Sequence, residues 1–110
     1  MSFILTYHFL HQKGPLCDEI LWMIATNLQN DWEEVAFHLG MSIYAVNRIA
    51  ICYPPQERLF AVLRDWRSHS LKMNPPQETS VELANTMIKL NRYDLSQIVL
   101  HRFQQSLMCA

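Results

Sequence analysis

The stretch that most constrains the fold of this chain runs from residue 30 to residue 49, where two short helical patterns flank a glycine. Asp31 has the position of a helix N-cap, and Glu34 follows it at the spacing of a capping box. Gly40 stands where a helix end needs a residue with positive φ, and Ser42 can cap the next helix. The pattern predicts a helix–glycine–helix unit, and nothing in it is catalytic.

The apolar residues of this unit fall at helical spacing. In the first helix they form one stripe of Trp32, Val35, Ala36 and Leu39, and in the second the predicted inward face is Ile43, Val46 and Ile49. We therefore expect this unit to bury a tryptophan beneath flanking segments.

Length and composition favour one folded domain. The chain has 110 residues, and half of them are apolar, which allows a core without metal or disulfide support. The formal net charge of −1 argues against nucleic-acid binding, which needs a clustered excess of Lys and Arg. The three cysteines Cys17, Cys52 and Cys109 are odd in number and widely spaced, so we expect reduced thiols and a cytoplasmic protein.

Residues 1–14 form an apolar N-terminal extension, and we assign residues 15–110 to the domain. The extension lacks the basic region and cleavage site of a signal peptide, and it is too short to insert across a bilayer. Phe3, Tyr7 and Leu10 lie at helical spacing, which favours an extra helix packed on this domain or on a second copy. The alternative is a linker remnant of a larger protein.

Four further helices are predicted around the central unit. The first runs from Leu16 to Leu28, the fourth begins after Pro54-Pro55, and Asn74-Pro75-Pro76 forms a loop. Thr79 and Glu82 repeat capping-box spacing at the fifth helix, Asn91 ends it, and Asp94 caps the sixth. The result is an all-α protein of six helices of roughly ten residues each. The predicted core comprises Leu21, Ile24, Trp32, Val35, Ala36, Leu39, Val46, Ile49, Leu59, Leu63, Trp66, Leu83, Met87, Leu95 and Ile98.

No group of residues predicts catalysis. His8 and His11 are close, but no partner stands at the spacing of a zinc site. Glu33 and Glu34 diverge by about 100° on a helix, so they do not converge on one substrate atom. Cys52 has no basic neighbour in sequence that would activate a nucleophile. We therefore expect no enzyme activity, no metal, no cofactor and no small-molecule substrate.

The three tryptophans differ in their predicted settings. Trp32 and Trp66 occupy apolar stripes and are predicted to be buried. Trp22 lies off the main stripe of the first helix, and the sequence leaves open whether it is covered by the N-terminal segment or exposed at a contact surface.

Three motifs together resemble the death-domain family. The residues Asp31-Trp32 to Leu39-Gly40-Met41-Ser42 resemble its second and third helices, and Arg64-Asp65-Trp66 resembles its fourth. The run from Lys89 to Leu95 is similar to the junction of helices five and six, especially in ankyrin-type and adaptor-type members. Arg92 to Leu95 also resembles a motif of death-effector domains, but Asp31-Trp32 and Trp66 favour death domains. The resemblance covers residues 16–103, and Asn91 departs from it where glycine is common.

The resemblance implies a six-helix antiparallel bundle with Greek-key topology and association with other death-domain proteins, including possible self-association, in intracellular signalling of the apoptotic or innate immune type. The contacts in this family are asymmetric: helices two and three against helices one and four, helix four against the junction of helices five and six, and helix three against loops. An alternative role is a regulatory or scaffolding module in a larger protein. The residues carried over as interface candidates are Glu33, Glu34, Arg48, Arg58, Arg64, Asp65, Arg67, Lys89 and Arg92.

Overall fold

The computed structural model describes residues 14–108, and this part of the chain contains six α-helices and no β-strand. The prediction of an all-α, six-helix antiparallel bundle is confirmed. Single 3₁₀ turns, Gln29–Asp31 and Pro55–Glu57, precede the second and fourth α-helices. We number the helices α1 (Asp18–Asn27), α2 (Trp32–His38), α3 (Ile43–Cys52), α4 (Arg58–Met73), α5 (Pro76–Lys89) and α6 (Tyr93–Met108).

Helix α4 lies at the centre of the bundle. It contacts α1, α2, α3 and α5, while α5 and α6 pack extensively against each other. Both α4 and α6 have 16 residues, so they are longer than the ten residues predicted from sequence. Every other element is therefore positioned directly or indirectly by α4.

The predicted core residues are buried, except Val46 and Ile98. Leu59, Leu63 and Trp66 of α4 belong to one hydrophobic core that includes buried residues from the other five helices. The indole N–H of Trp66 is satisfied because Nε1 donates a hydrogen bond to Oε1 of Glu82 at 2.7 Å. Burial of the ring and its polar atom together ties α4 to α5.

The predicted inward face of α3 was wrong at Ile43. Ile49 is buried, Val46 is partly buried against the core, and Ile43 is 67% exposed. Steps of three residues fall short of a full helical turn by about 60° each, so residues six apart point about 120° apart. A helix with one narrow buried line cannot bury all three.

The prediction that Ile98 lies in the core was also wrong, because this side chain is 37% exposed. Leu95 and Val99, which are one turn apart on α6, are buried, and Ser96 beside them is buried as well. Because Leu95, Ser96 and Val99 define the buried face of α6, Ile98 lies at the edge of that face.

Three of the predicted helix ends are confirmed. Gly40 and Asn91 have φ values of 78° and 61°. After each helix end, an N–H bonds back across the turn: Met41 to the carbonyl of Ala36 and Arg92 to that of Met87. These are the long bonds of Schellman motifs. At the start of α3, the Ala45 N–H donates to Oγ of Ser42 at 3.1 Å, as an N-cap requires.

Two predicted capping boxes were wrong. Asp31 is the N-cap residue of α2, as predicted, but it also ends the 3₁₀ turn before that helix, and its side chain makes no cap bond. Helix α5 begins at Pro76, three residues before Thr79, because proline is pre-set for the first helical position. The Thr79 hydroxyl is buried inside the helix and bonds to the Pro75 carbonyl and to Ser70.

Several predictions fall outside the described residues, including the packing of Phe3, Tyr7 and Leu10 and the state of Cys109. Cys17 is buried and Cys52 is exposed, and neither forms a disulfide within residues 14–108. The reduced state of all three thiols and the domain boundary at residue 14 stay predictions.

Candidate interaction surfaces

An aromatic and basic surface lies along the contact of α1 with α4. The Trp22 ring is 52% exposed and meets the Phe60 ring edge-on, with centroids 5.1 Å apart. The guanidinium carbon of Arg64 lies 4.8 Å from the centroid of the Phe60 ring. We call these three residues, Trp22, Phe60 and Arg64, the α1–α4 patch.

The side chains of the α1–α4 patch contact one another, through the edge-on rings and the cation–π contact. Within the described part of the chain, Arg64 has no carboxylate partner, so its charge is available to a ligand. The cation–π contact holds the guanidinium near the rings. Of the three residues, only Arg64 was predicted as an interface residue. Trp22 was left open, and Phe60 was missed because its place on the flank of α4 depends on how α1 packs.

Helix α2 presents an acidic surface that also carries an aromatic ring. Glu33 and Glu34 are exposed, as predicted, and neither forms an ion pair within residues 14–108. Phe37 is 75% exposed and lies one turn further along, between the two carboxylates around the helix axis. Its ring packs edge-on against His38, with centroids 5.6 Å apart. We call Glu33, Glu34 and Phe37 the α2 patch.

Arg67 is not a surface charge, which corrects its prediction as an interface residue. The residue is 8% exposed. Its Nη1 donates to the Leu16 carbonyl at 2.9 Å and to Oδ1 of Asp18 at 2.6 Å. Arg67 therefore fastens the chain before α1 to α4. Its position two residues from Asp65 made it look solvated, and only the packing of α1 reveals the partner.

Arg58 is also engaged within the domain. Its Nε donates to the Tyr53 carbonyl at 3.0 Å, and Nη2 donates to the Ala50 carbonyl at 3.1 Å. The guanidinium carbon lies 5.6 Å from the centroid of the Trp32 ring. Because the last carbonyls of a helix lack partners within it, Arg58 completes the C-terminal end of α3.

Two more interface candidates pair with each other. Nη2 of Arg48 on α3 lies 3.3 Å from Oδ2 of Asp65 on α4, and the two side chains are 66% and 53% exposed. An exposed pair of this kind contributes little to stability. The pair links α3 to α4 and leaves both groups accessible.

The last two candidates lie near the junction of α5 and α6. Lys89 is exposed, and Arg92 forms two hydrogen bonds to the Asp94 carboxylate, at 3.0 and 2.8 Å. These hydrogen bonds lower the pKa of Asp94 to about 2 and raise the pKa of Arg92. Asp94 therefore stays ionised well below its ordinary range, which keeps the pair formed in mild acid.

Helix α3 carries an exposed apolar face that sequence analysis missed. Tyr44 and Ile51 are 83% and 85% exposed, and Ile43 lies beside them. Tyr44 and Ile51 are seven residues apart and share the side of α3 opposite Ile49. The signal was present in the sequence, because α3 has more large apolar residues than one buried line can hold.

The grooves of the bundle are open to solvent. One, of about 620 Å³, lies between the end of α2 and α5 and includes His38, Glu78 and Lys89 in its lining. Within residues 14–108, no three His, Cys, Asp or Glu side chains are placed to hold a metal ion. In the same part of the chain, no helix has the length and apolar character needed to cross a bilayer.

Comparison with known proteins yields one match. The family model of the death domain matches residues 18–102, which spans α1 to most of α6 and covers more than half of the chain. No curated protein matches the chain, and no solved structure matches it. The six helices, the buried Trp32 and Trp66 and the helix–glycine–helix unit lie within the matched residues. The chain belongs to the death-domain family, whose members are non-catalytic protein-interaction modules.

Proposed function

We propose that this domain acts by homotypic association with death domains in the cytoplasm, in signalling of the apoptotic or innate immune type. In this proposal the α1–α4 patch of one domain contacts the α2 patch of the next. The single observation behind it is that one chain presents two different exposed surfaces of opposite charge, each with an aromatic ring.

The two surfaces are complementary in chemistry as well as in sign. Arg64 offers a cation without a carboxylate partner in the described part of the chain, while Glu33 and Glu34 offer unpaired carboxylates there. Trp22 and Phe37 add apolar rings, which are frequent anchors at interfaces. Two different surfaces on one chain support a head-to-tail contact, which repeats until it closes or extends as a helix.

The test is a charge reversal at Arg64 in the full chain. Arg64→Glu places a carboxylate opposite Glu33 and Glu34 of the next domain, and we expect association to weaken by about tenfold or more. Lys72→Glu is the matched control, because it changes the same net charge on the same helix outside the α1–α4 patch. Self-association is measured by sedimentation, and circular dichroism checks the fold of both variants.

The salt dependence gives a second readout of the same contact. Raising salt from 0.1 to 1 M shortens the screening length from about 10 Å to about 3 Å, so wild-type association should weaken. Full association of a folded Arg64→Glu protein, or an association indifferent to salt, would reject this pairing of surfaces. A wild-type domain that binds neither itself nor other death domains would instead favour the scaffolding role.

A further inference from the structure

The outer side of α3 is mostly apolar, and within residues 14–108 it lies uncovered. Tyr44 and Ile51 are 83% and 85% exposed, and Ile43 beside them is 67% exposed. Together the three side chains expose roughly 400–500 Å² of surface, which is comparable to the largest apolar patch on a typical monomer. We call these three residues, with the exposed Asn47 between them, the α3 face.

The α3 face is symmetric about the middle of its helix. Helix α3 is Ile43–Cys52, so its midpoint lies between Asn47 and Arg48. Tyr44 and Ile51 are equally far from that midpoint, and residues seven apart lie on the same side of a helix. When two copies of α3 cross antiparallel at the midpoint, Tyr44 of each copy therefore meets Ile51 of the other. The same contact forms twice, as a two-fold interface requires.

The polar groups near the midpoint allow two copies to approach each other. Arg48 is the only charged residue of α3, and its Nη2 lies 3.3 Å from Oδ2 of Asp65 in the same chain. Two copies therefore bring together two neutralised ion pairs rather than two free cations, which would repel. Asn47 offers both a donor and an acceptor, so its amide can bond to the Arg48 guanidinium or to the second Asn47.

Self-complementarity distinguishes the α3 face from the two patches of the proposed function. The α1–α4 patch and the α2 patch have opposite charge, so each needs a different surface as its partner. The α3 face shares no residue with either of them, and its own chemistry matches a second copy of itself. A head-to-tail contact through the two patches therefore uses no residue of the α3 face.

The size of the α3 face sets the strength of its contact. A stable complex covers about 800 Å² on each partner, roughly twice what the α3 face offers. Two free domains should therefore bind through α3 only weakly, with a dissociation constant of about 1 mM, and stay monomeric in dilute solution. Domains held in a head-to-tail assembly present many α3 faces at high local concentration, which makes the same weak contact effective.

We propose that the α3 face binds the α3 face of a second copy of this chain in antiparallel orientation and thereby joins two head-to-tail assemblies side by side. The contact itself is carried by the exposure, the symmetric spacing and the neutralised charge of α3. Only its role in joining assemblies rests on the proposed function.

Disulfide trapping at the midpoint of α3 tests the contact in the full chain. Asn47→Cys, combined with Cys52→Ser and Cys109→Ser, places two new thiols beside each other across the two-fold axis, while Cys17 is buried. Arg64→Glu is added to remove the head-to-tail contact. The matched control keeps Asn47 and the native Cys52, which is exposed on the same helix. Antiparallel pairing separates the two copies of Cys52 by about 13 Å along the helix, beyond disulfide reach.

The position of the thiol should decide the rate of cross-linking. At about 1 mM protein under mild oxidation, we expect Asn47→Cys to form a covalent dimer at least about fivefold faster than the Cys52 control. Adding Tyr44→Ser and Ile51→Ser should return the rate to that of the control, because the apolar contact is lost. Circular dichroism checks that all variants are folded.

Three results would overturn the contact. Equal rates at positions 47 and 52 would indicate random collision or a different geometry. A fast rate that survives the two serine substitutions would show that Tyr44 and Ile51 do not hold the copies together. Absence of cross-linking at position 47 would show that α3 contacts another surface, such as the loops that the family resemblance implies.

Assemblies of the chain with Arg64 intact give the second readout. Tyr44→Ser with Ile51→Ser should lower the mass of these assemblies about twofold, or their mass per unit length if they extend, as measured by electron microscopy. An unchanged mass would overturn the side-by-side role. Trapping at position 47 without any assembly of the wild type would reject the proposed function and support the α3 contact, so the two failures are distinguishable.

Discussion

Helices α3 and α4 pack against each other but are held in the bundle in opposite ways. Among the buried residues of α4 are Leu59, Val62, Leu63 and Trp66, whereas the buried residue of α3 is Ile49 alone. The ends and flank of α3 are instead held by polar contacts: the Ser42 cap, the Arg58 bonds to its last carbonyls and the Arg48–Asp65 pair.

This difference separates stability from surface chemistry. Buried apolar area in α4 contributes most of the free energy of packing, because it scales with the area removed from water. Because α3 buries little of its own surface, Tyr44 and Ile51 remain exposed for contacts. Because α3 is held mainly by its capping contacts and by α4, its exposed residues can be substituted without disrupting the core.

The largest expected effect is loss of the Trp66 ring from α4. Trp66→Ala should lower the free energy of unfolding by about 3–5 kcal/mol, because it opens a cavity and leaves Glu82 without its donor. Tyr44→Ala on α3 is the matched aromatic control and should change stability by less than about 0.5 kcal/mol. Urea unfolding measures both, and equal losses would break the comparison between the helices.

The next largest effect concerns the buried guanidinium of α4. Arg67→Ala should cost about 2–3 kcal/mol, which is below the usual range for breaking a buried ion pair because Asp18 is 42% exposed. Arg64→Ala, one turn away on the exposed patch, should change stability by less than about 0.5 kcal/mol. Thermal unfolding distinguishes them, and a stable Arg67→Ala protein would show that the chain entry does not depend on this contact.

A smaller effect should follow loss of the cap on α3. Ser42→Ala removes the acceptor of the Ala45 N–H and should cost about 1 kcal/mol, with faster hydrogen exchange confined to α3. Ser42→Thr retains the hydroxyl and should restore protection. Exchange that accelerates equally in α4 would contradict the view that α3 opens locally.

The smallest effect lies outside both helices, at the pair of Arg92 and Asp94. The pKa of Asp94 is lowered to about 2 in the folded protein. The pair therefore stabilises the fold at pH values above the ordinary pKa of an aspartate, and this stabilisation is lost as pH falls towards 2. Asp94→Asn should be less stable than the wild type at pH 5, and the difference should shrink to a small remainder as pH falls to about 2. Urea unfolding across that range checks it, and a difference independent of pH would exclude an ionic origin.

The sequence predicted those parts of the fold that depend on local patterns. The turns at Gly40 and Asn91 and the Ser42 cap follow from the conformations that these residue types adopt within a few neighbours. The incorrect predictions concern residues whose burial depends on how the helices pack against one another. Arg67 is buried because its partners come from far away in sequence: Asp18 of α1, 49 residues away, and the Leu16 carbonyl in the turn before α1, 51 residues away. Periodicity within α4 does not report such partners.

The candidate site was predictable in part for the same reason. Arg64, Glu33 and Glu34 lie off the apolar stripes, so their exposure follows from helical periodicity alone. Trp22 and Phe60 join the α1–α4 patch only because two helices pack side by side. The predictions that Ile43 and Ile98 are buried were wrong because the apolar stripe read from the sequence is wider than the line of residues that packing buries.

The most direct test of the central claim mixes two variants that each lack one surface. Arg64→Glu removes the basic α1–α4 patch, and Glu33→Gln with Glu34→Gln removes the acidic α2 patch. We predict that each protein alone remains monomeric by sedimentation, whereas the mixture forms a complex of one copy of each that grows no further. A mixture that remains monomeric, or either variant associating alone as well as the wild type, would contradict head-to-tail association through these two surfaces.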